Sequence, residues 1–166
     1  MNNNTKKITF LAIGIALYTV LGMSVKVPLI GHIQTDLGYV AYGAFLYLMG
    51  LPAIVVGVVG CILESLIVSG WFPVGWSVGQ LFIGVACGIA YKKYKSNAIQ
   101  IAVTLISVFI GIGLIKTVIE CAMFGIPWSV KFAKDMIAFV ADVIPMYLGL
   151  ILGHYLKPTY EKSFNE

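Results

Sequence analysis

Long apolar runs broken by short polar, glycine- or proline-bearing segments make up most of the chain, and ten-residue stretches of strict alternation are absent. That pattern predicts helices crossing lipid rather than a membrane barrel. The runs extend from Ile8 to Val25, Leu37 to Gly50, Leu51 to Val68, Trp76 to Tyr91, Ile99 to Phe124 and Lys131 to Leu156. At about 20 residues per spanning helix, the chain length holds roughly six such spans. The boundary between the second and third rests on Gly50-Leu51-Pro52 alone. If these two were fused, the resulting helix would be about 45 Å long, beyond a hydrocarbon core of about 30 Å. Pro52 would also interrupt it. The fold class expected is therefore an all-α integral membrane protein, a single six-helix transmembrane domain.

Composition agrees with this reading. Hydrophobic residues make up 60% of the 166 residues and charged ones 11%, with a mean hydropathy of +0.95. Soluble domains are about a quarter charged. Lysine sets the orientation, since arginine does not occur. Lys6, Lys7, Lys92, Lys93, Lys95, Lys157 and Lys162 flank one side of a six-span bundle, and Lys26, Lys131 and Lys134 the other. The positive-inside rule then places both termini in the cytoplasm. The net charge of +4 reflects topology, and a nucleic-acid partner is not expected. Lys6-Lys7 before an apolar run also begins like a secretory signal, but no Ala-x-Ala cleavage pattern follows, so it reads as a resident first helix. Cys61, Cys87 and Cys121 fall inside spans without metal-ligand spacing and read as small packing residues. His154 at the inner end of the last helix has no partner spaced to bind a metal.

Against this apolar background Glu64, Lys116, Glu120, Asp135 and Asp142 stand out. Each such residue near a helix centre costs ~2.5 to 3.5 kcal/mol on an insertion scale, and charges retained in spans usually face a bundle interior or a wet cavity. Alternating topology puts all five in the outer halves of the third, fifth and sixth spans. Lys116 and Glu120 share a helix face at i, i+4, together with Gly113 and Thr117. Asp135 and Asp142 lie two turns apart on the next helix. A cavity entered from outside between the fifth and sixth helices accounts for both pairs. The structural alternatives are an internal Lys116–Glu120 ion pair, an Asp135–Lys131 pair at the interface, and a Glu64 that snorkels to the headgroups.

Three outer loops carry glycine or proline, the last two with aromatics: Lys26 to Asp36, Gly70 to Trp76, and Phe124 to Trp128. All three tryptophans of the chain, Trp71, Trp76 and Trp128, lie at this face. A symmetric interfacial belt would also place some at the inner face, whereas a lid of flat rings over a planar ligand would not. Gln80 shares a face with Trp76 and Gly84, suited either to a ligand ring or to a hydrogen bond between helices. His32 in the first outer loop is a further candidate ligand contact. Gly84-x-x-x-Gly88 and Gly149-x-x-x-Gly153 suit close helix packing. Ala12 and Ala16 leave a smooth strip on the first helix, ready to receive another helix. Phosphate-binding glycine loops, His-Glu-x-x-His and any Ser, His and acid grouping are missing, so an enzyme is not expected. No repeat relates the two halves, as it often does in self-sufficient carriers.

With these features the chain resembles the substrate-binding S components of energy-coupling factor (ECF) transporters, which take up vitamins and related micronutrients in prokaryotes. The resemblance covers nearly the whole chain. It rests on size, span number, Ala12-x-x-x-Ala16, Asp36-Leu37-Gly38-Tyr39, Gly50-Leu51-Pro52 and Gly57-Val58-Val59-Gly60. Leu51 between Gly50 and Pro52 departs from the Gly-Pro turn of many members. The resemblance implies a location in the prokaryotic cell membrane. It further implies a membrane-embedded coupling subunit that docks on Ala12 and Ala16, and two ATPase subunits that hydrolyse the ATP, so this chain needs no cofactor of its own. It also implies a pocket built from the first outer loop, hence Asp36 and His32, and from the fourth to sixth helices, with toppling in the membrane to release substrate inside. Acidic groups outnumber Lys116 in that pocket, which favours a ligand with an amine or ring N–H donors. A flavin, a hydroxymethylpyrimidine, pyridoxine and a deazapurine all remain open. The competing functions are a self-sufficient oligomeric carrier or channel and a structural membrane protein with no ligand.

Overall fold

The computed structural model describes residues 3–24, 26–30 and 33–165. Helix α1 covers Asn3–Ser24, strands β1 and β2 cover Lys26–Ile30 and Ile33–Asp36, and α2 covers Gly38–Met49. After a 3₁₀ turn at Leu51–Ala53 come α3 (Ile54–Ser69) and α4 (Val74–Lys93). A continuous helix α5 spans Asn97–Phe124, and α6 spans Trp128–Asn165. Among the described residues, five helices are long and apolar enough to cross a membrane, and α2 is a shorter apolar one.

The short helix is the core. Ten of its 12 residues are buried, from Gly38 and Tyr39 through Leu48 and Met49, the signature of a helix apolar on every side. It ends where Gly50 adopts a positive φ of 72°, a conformation that glycine enters at no steric penalty, and Pro52 follows inside the next turn. The separation of the second and third runs at Gly50-Leu51-Pro52 therefore holds. At 12 residues, α2 is about 18 Å long, which is why its apolar run is shorter than the others.

Small residues set the helix spacing around it. A Cβ placed on Gly149 would collide with the Val40 carbonyl oxygen, and one on Gly43 with that of Met146. The backbones of α2 and α6 thus touch without intervening side chains, as the Gly149-x-x-x-Gly153 spacing suggests. Gly57 and Gly84 similarly flank the Tyr42 ring, whose hydroxyl donates to the Gln80 carbonyl at 2.7 Å. Gly149→Val is expected to lower stability by about 1 to 3 kcal/mol, the usual penalty of overpacking. Thermal unfolding in detergent measures it, and an unchanged midpoint would contradict the backbone contact.

Two features depart from the sequence reading. The fold is nearly all-helical rather than purely so, because the first outer loop forms an antiparallel hairpin pairing Lys26 with Asp36, Val27 with Thr35 and Pro28 with Gln34. Pro28 cannot donate to a ladder, and the pairing is irregular between Pro28 and Ile30, so the stretch carries a poor strand signal. Helix α6 also runs past Leu156 and through Pro158 to a length of 38 residues. Its last turns are held by α1: the Tyr160 ring lies 5.1 Å from that of Phe10, and Lys6 donates to the Ser163 carbonyl at 3.0 Å.

Candidate solute-binding site

At the end of the bundle opposite the termini lies a cavity of about 340 Å³. Its wall takes Tyr18 and Gly22 from α1, Asp36 from β2, Glu64 from α3, Trp71 and Trp76 from the α3–α4 turn and α4, Lys116 and Glu120 from α5, and Asp135 and Asp142 from α6. Eight residues singled out in the sequence therefore meet on one surface.

Four charges form a chain. Asp135, 1% exposed, pairs with Lys116, with Lys131 at 2.6 Å, and with the Thr117 hydroxyl at 2.8 Å. Lys131 also reaches Glu120 at 2.6 Å. The Lys116 ammonium lies 4.0 Å from the centroid of the Trp76 ring, a cation–π contact. Lys116 is thus bridged to the neighbouring helix, not to Glu120 as their spacing on α5 suggests. Both partners come from α6, where Asp135 takes Lys116 and Lys131 takes Glu120. Asp135 does pair with Lys131 one turn earlier, and both are buried in the protein.

A second set of bonds ties α1, α4, α6 and the hairpin together. Gln80 Nε2 donates to the Tyr18 hydroxyl at 3.1 Å, which donates to Asp36 Oδ2 at 3.1 Å. The Asp36 backbone N–H donates to Asp142 Oδ1 at 3.3 Å, and Gly38 N–H to Asp36 Oδ1 at 2.7 Å. Gly22 makes the room: a Cβ there would fall 2.6 Å from Glu64 Oε2 and 2.9 Å from Asp36 Oδ1.

Several candidates sit elsewhere. Gln80 lies behind Tyr18 and bridges helices instead of facing the cavity. Trp128 is 46% exposed and stacks on Phe132 at 5.8 Å, off the wall. It opens α6, so its side chain packs along its own helix on the residue one turn later, leaving Trp71 and Trp76 as the rings at the cavity. His32 lies outside the described residues. Ala12 and Ala16 are exposed on α1, turned away from the cavity. Tyr18, Gly22, Lys131 and Lys134 were not among the candidates, yet all line the wall. One signal was available for the first two: Tyr18 and Gly22 repeat the four-residue spacing of Ala12 and Ala16 about 120° around the helix.

The family described as "ECF-type riboflavin transporter, S component" matches residues 2–162. The chain belongs to this S-component family. Its members are components of vitamin transporters rather than enzymes, and this S component is accordingly a multi-pass membrane protein. It is 25% identical over 166 residues to a UPF0397 protein of Streptococcus thermophilus, covering 93% of this chain and 92% of that one. A second strain's UPF0397 protein matches equally, at 25% over 166 residues. Among solved structures, the S component for biotin from an ECF-type ABC transporter superimposes with a TM-score of 0.67 at 15% identity, covering 95% of both chains. That likeness establishes the shared fold.

Proposed function

We propose that this S component binds a small, planar, polar micronutrient in the cavity at the outer membrane face and hands it to an ATP-driven ECF module. The observation that carries the reading is the convergence of buried charge from α5 and α6 with two tryptophan rings and the hairpin on one cavity. In lipid such groups stay only where they pair or serve a ligand. The lysine distribution supports six spans, α2 included, with cytoplasmic termini in a prokaryotic plasma membrane, which turns the cavity outward. The exposed Ala12–Ala16 strip is the docking surface for the transmembrane coupling subunit, and two ATPases supply the energy. Asp36, Glu64, Trp71, Trp76, Lys116, Glu120, Asp135 and Asp142 form the binding wall. Riboflavin in the family description and biotin in the structural relative are both compact ring compounds, and a cavity of about 340 Å³ is of the size that small-molecule sites have.

The test is mass analysis of small molecules released from the detergent-purified chain, combined with uptake of the released compound into proteoliposomes. A defined compound is expected, with uptake only when coupling subunit and ATPases are added. Uptake by this chain alone would replace the reading with a self-sufficient carrier. No bound compound would leave a structural protein.

A further inference from the structure

The chain Lys116–Asp135–Lys131–Glu120 holds equal numbers of cations and anions, and it leaves out one buried carboxylate of the described wall. Asp142 is 2% exposed and lines the cavity, seven residues beyond Asp135 on α6. Its Oδ1 accepts the Asp36 N–H at 3.3 Å, and among the described residues Oδ2 has no hydrogen-bond partner. Behind it, among the described residues, two buried polar atoms lack a partner: Gln80 Oε1 and the Tyr39 hydroxyl. Gln80 bonds Tyr18, Tyr18 bonds Asp36, and the Tyr39 ring lies 6.2 Å from that of Tyr18, so the three belong to one patch. Buried polar groups are rarely left unpaired, and several together need an explanation. Among the described residues the carboxylates are not arranged to hold a metal ion.

Resting on the receptor reading above, we propose that Asp142 and Tyr18 on the cavity wall, backed by Tyr39 and Gln80 behind them, form a donor-selecting subsite. It takes the N–H edge of a nitrogen-bearing ring or an amine, neutral or cationic, and rejects an anionic group. Asp142 accepts charge-assisted hydrogen bonds from such an edge. A ligand carboxylate or phosphate there would face Asp142 with Lys116 and Lys131 already engaged, and like charges in a low dielectric repel strongly. The remaining lysine of the wall, Lys134, is exposed.

The experiment uses the full-length, detergent-purified chain and reads the compound it carries. The wild type is expected to release a compound with ring N–H or amine donors and no acidic group. Asp142→Asn keeps the shape but loses the charge, and its retention should fall about tenfold to a hundredfold, the range for a hydrogen bond to a charged group. A released compound bearing a carboxylate or phosphate overturns the subsite while leaving the receptor reading intact, as does equal retention in Asp142→Asn. The wild-type compound decides the matter even where that variant does not fold. Release of nothing from the wild type, with no thermal stabilisation by added riboflavin or pyridoxamine, removes the receptor reading and the subsite with it.

Discussion

Replacing Ala12 and Ala16 together with tryptophan is expected to reduce uptake to background while ligand retention by the purified chain changes less than twofold. Both alanines are exposed, and their neighbours on the same face, Ile13 and Leu17, are exposed as well. The packing side of α1 lies opposite. A Cβ on Gly14 would sit 2.8 Å from Phe45 and Val56, and Tyr18 is fully buried on the cavity wall. An indole at either alanine therefore points away from the core and strains nothing inside. It does fill a strip that a partner helix enters closely only when its residues are small, since packed helix axes lie about 8 to 10 Å apart. The measurement pairs uptake in cells that supply the ECF module with mass analysis of the compound carried by the purified variant. Full uptake by the double variant would remove the docking role. Loss of both uptake and retention would show that α1 cannot be divided into a docking face and a cavity face.

The two sides of α1, exposed alanines and buried Tyr18, were only half legible in the sequence. Exposed small residues advertise themselves in an apolar chain, so Ala12 and Ala16 stood out, whereas Tyr18 reads as an ordinary apolar-run tyrosine until Gln80 and Asp36 are seen to bond it. The buried charges were legible for the same reason as the alanines: each violates the composition around it. Their partners were not. Pairing inferred from i, i+4 spacing sees one helix alone, and the partners of Lys116 and Glu120 come from α6. Glycine spacing along α4 and α6 correctly announced close contacts, because absent side chains have one strong use in lipid. The hairpin before Asp36 was missed because Pro28 weakens its strand pattern, and the continuation of α6 was missed because Pro158 suggests a stop. There the contacts of Tyr160 and Ser163 with α1 decide, and no local pattern contains them.

The largest loss of stability is expected from Asp135→Ala. This carboxylate is the centre of the ion chain, receiving Lys116, Lys131 and the Thr117 hydroxyl. Without it Lys131 keeps Glu120, but Lys116, 3% exposed, loses its paired carboxylate and keeps the face of Trp76. Removing one partner of a buried pair typically costs about 3 to 5 kcal/mol, because a desolvated charge is left uncompensated, whereas exchanging the whole pair for apolar residues of similar volume is often close to neutral. Lys116→Met combined with Asp135→Leu should therefore recover most of what Asp135→Ala loses. Residues in direct contact couple in this way, and a double-mutant cycle measures it. Thermal unfolding of the three proteins in one detergent is the test, and a double variant no more stable than Asp135→Ala would refute the pairing. Ligand retention in the stable double variant then separates two roles for these charges. Near-normal retention would make the Lys116–Asp135 bridge part of the cavity's frame and leave selection to Asp142. A hundredfold loss would mean that the ligand draws on the bridge itself, and that binding opens an ion pair the empty protein keeps closed.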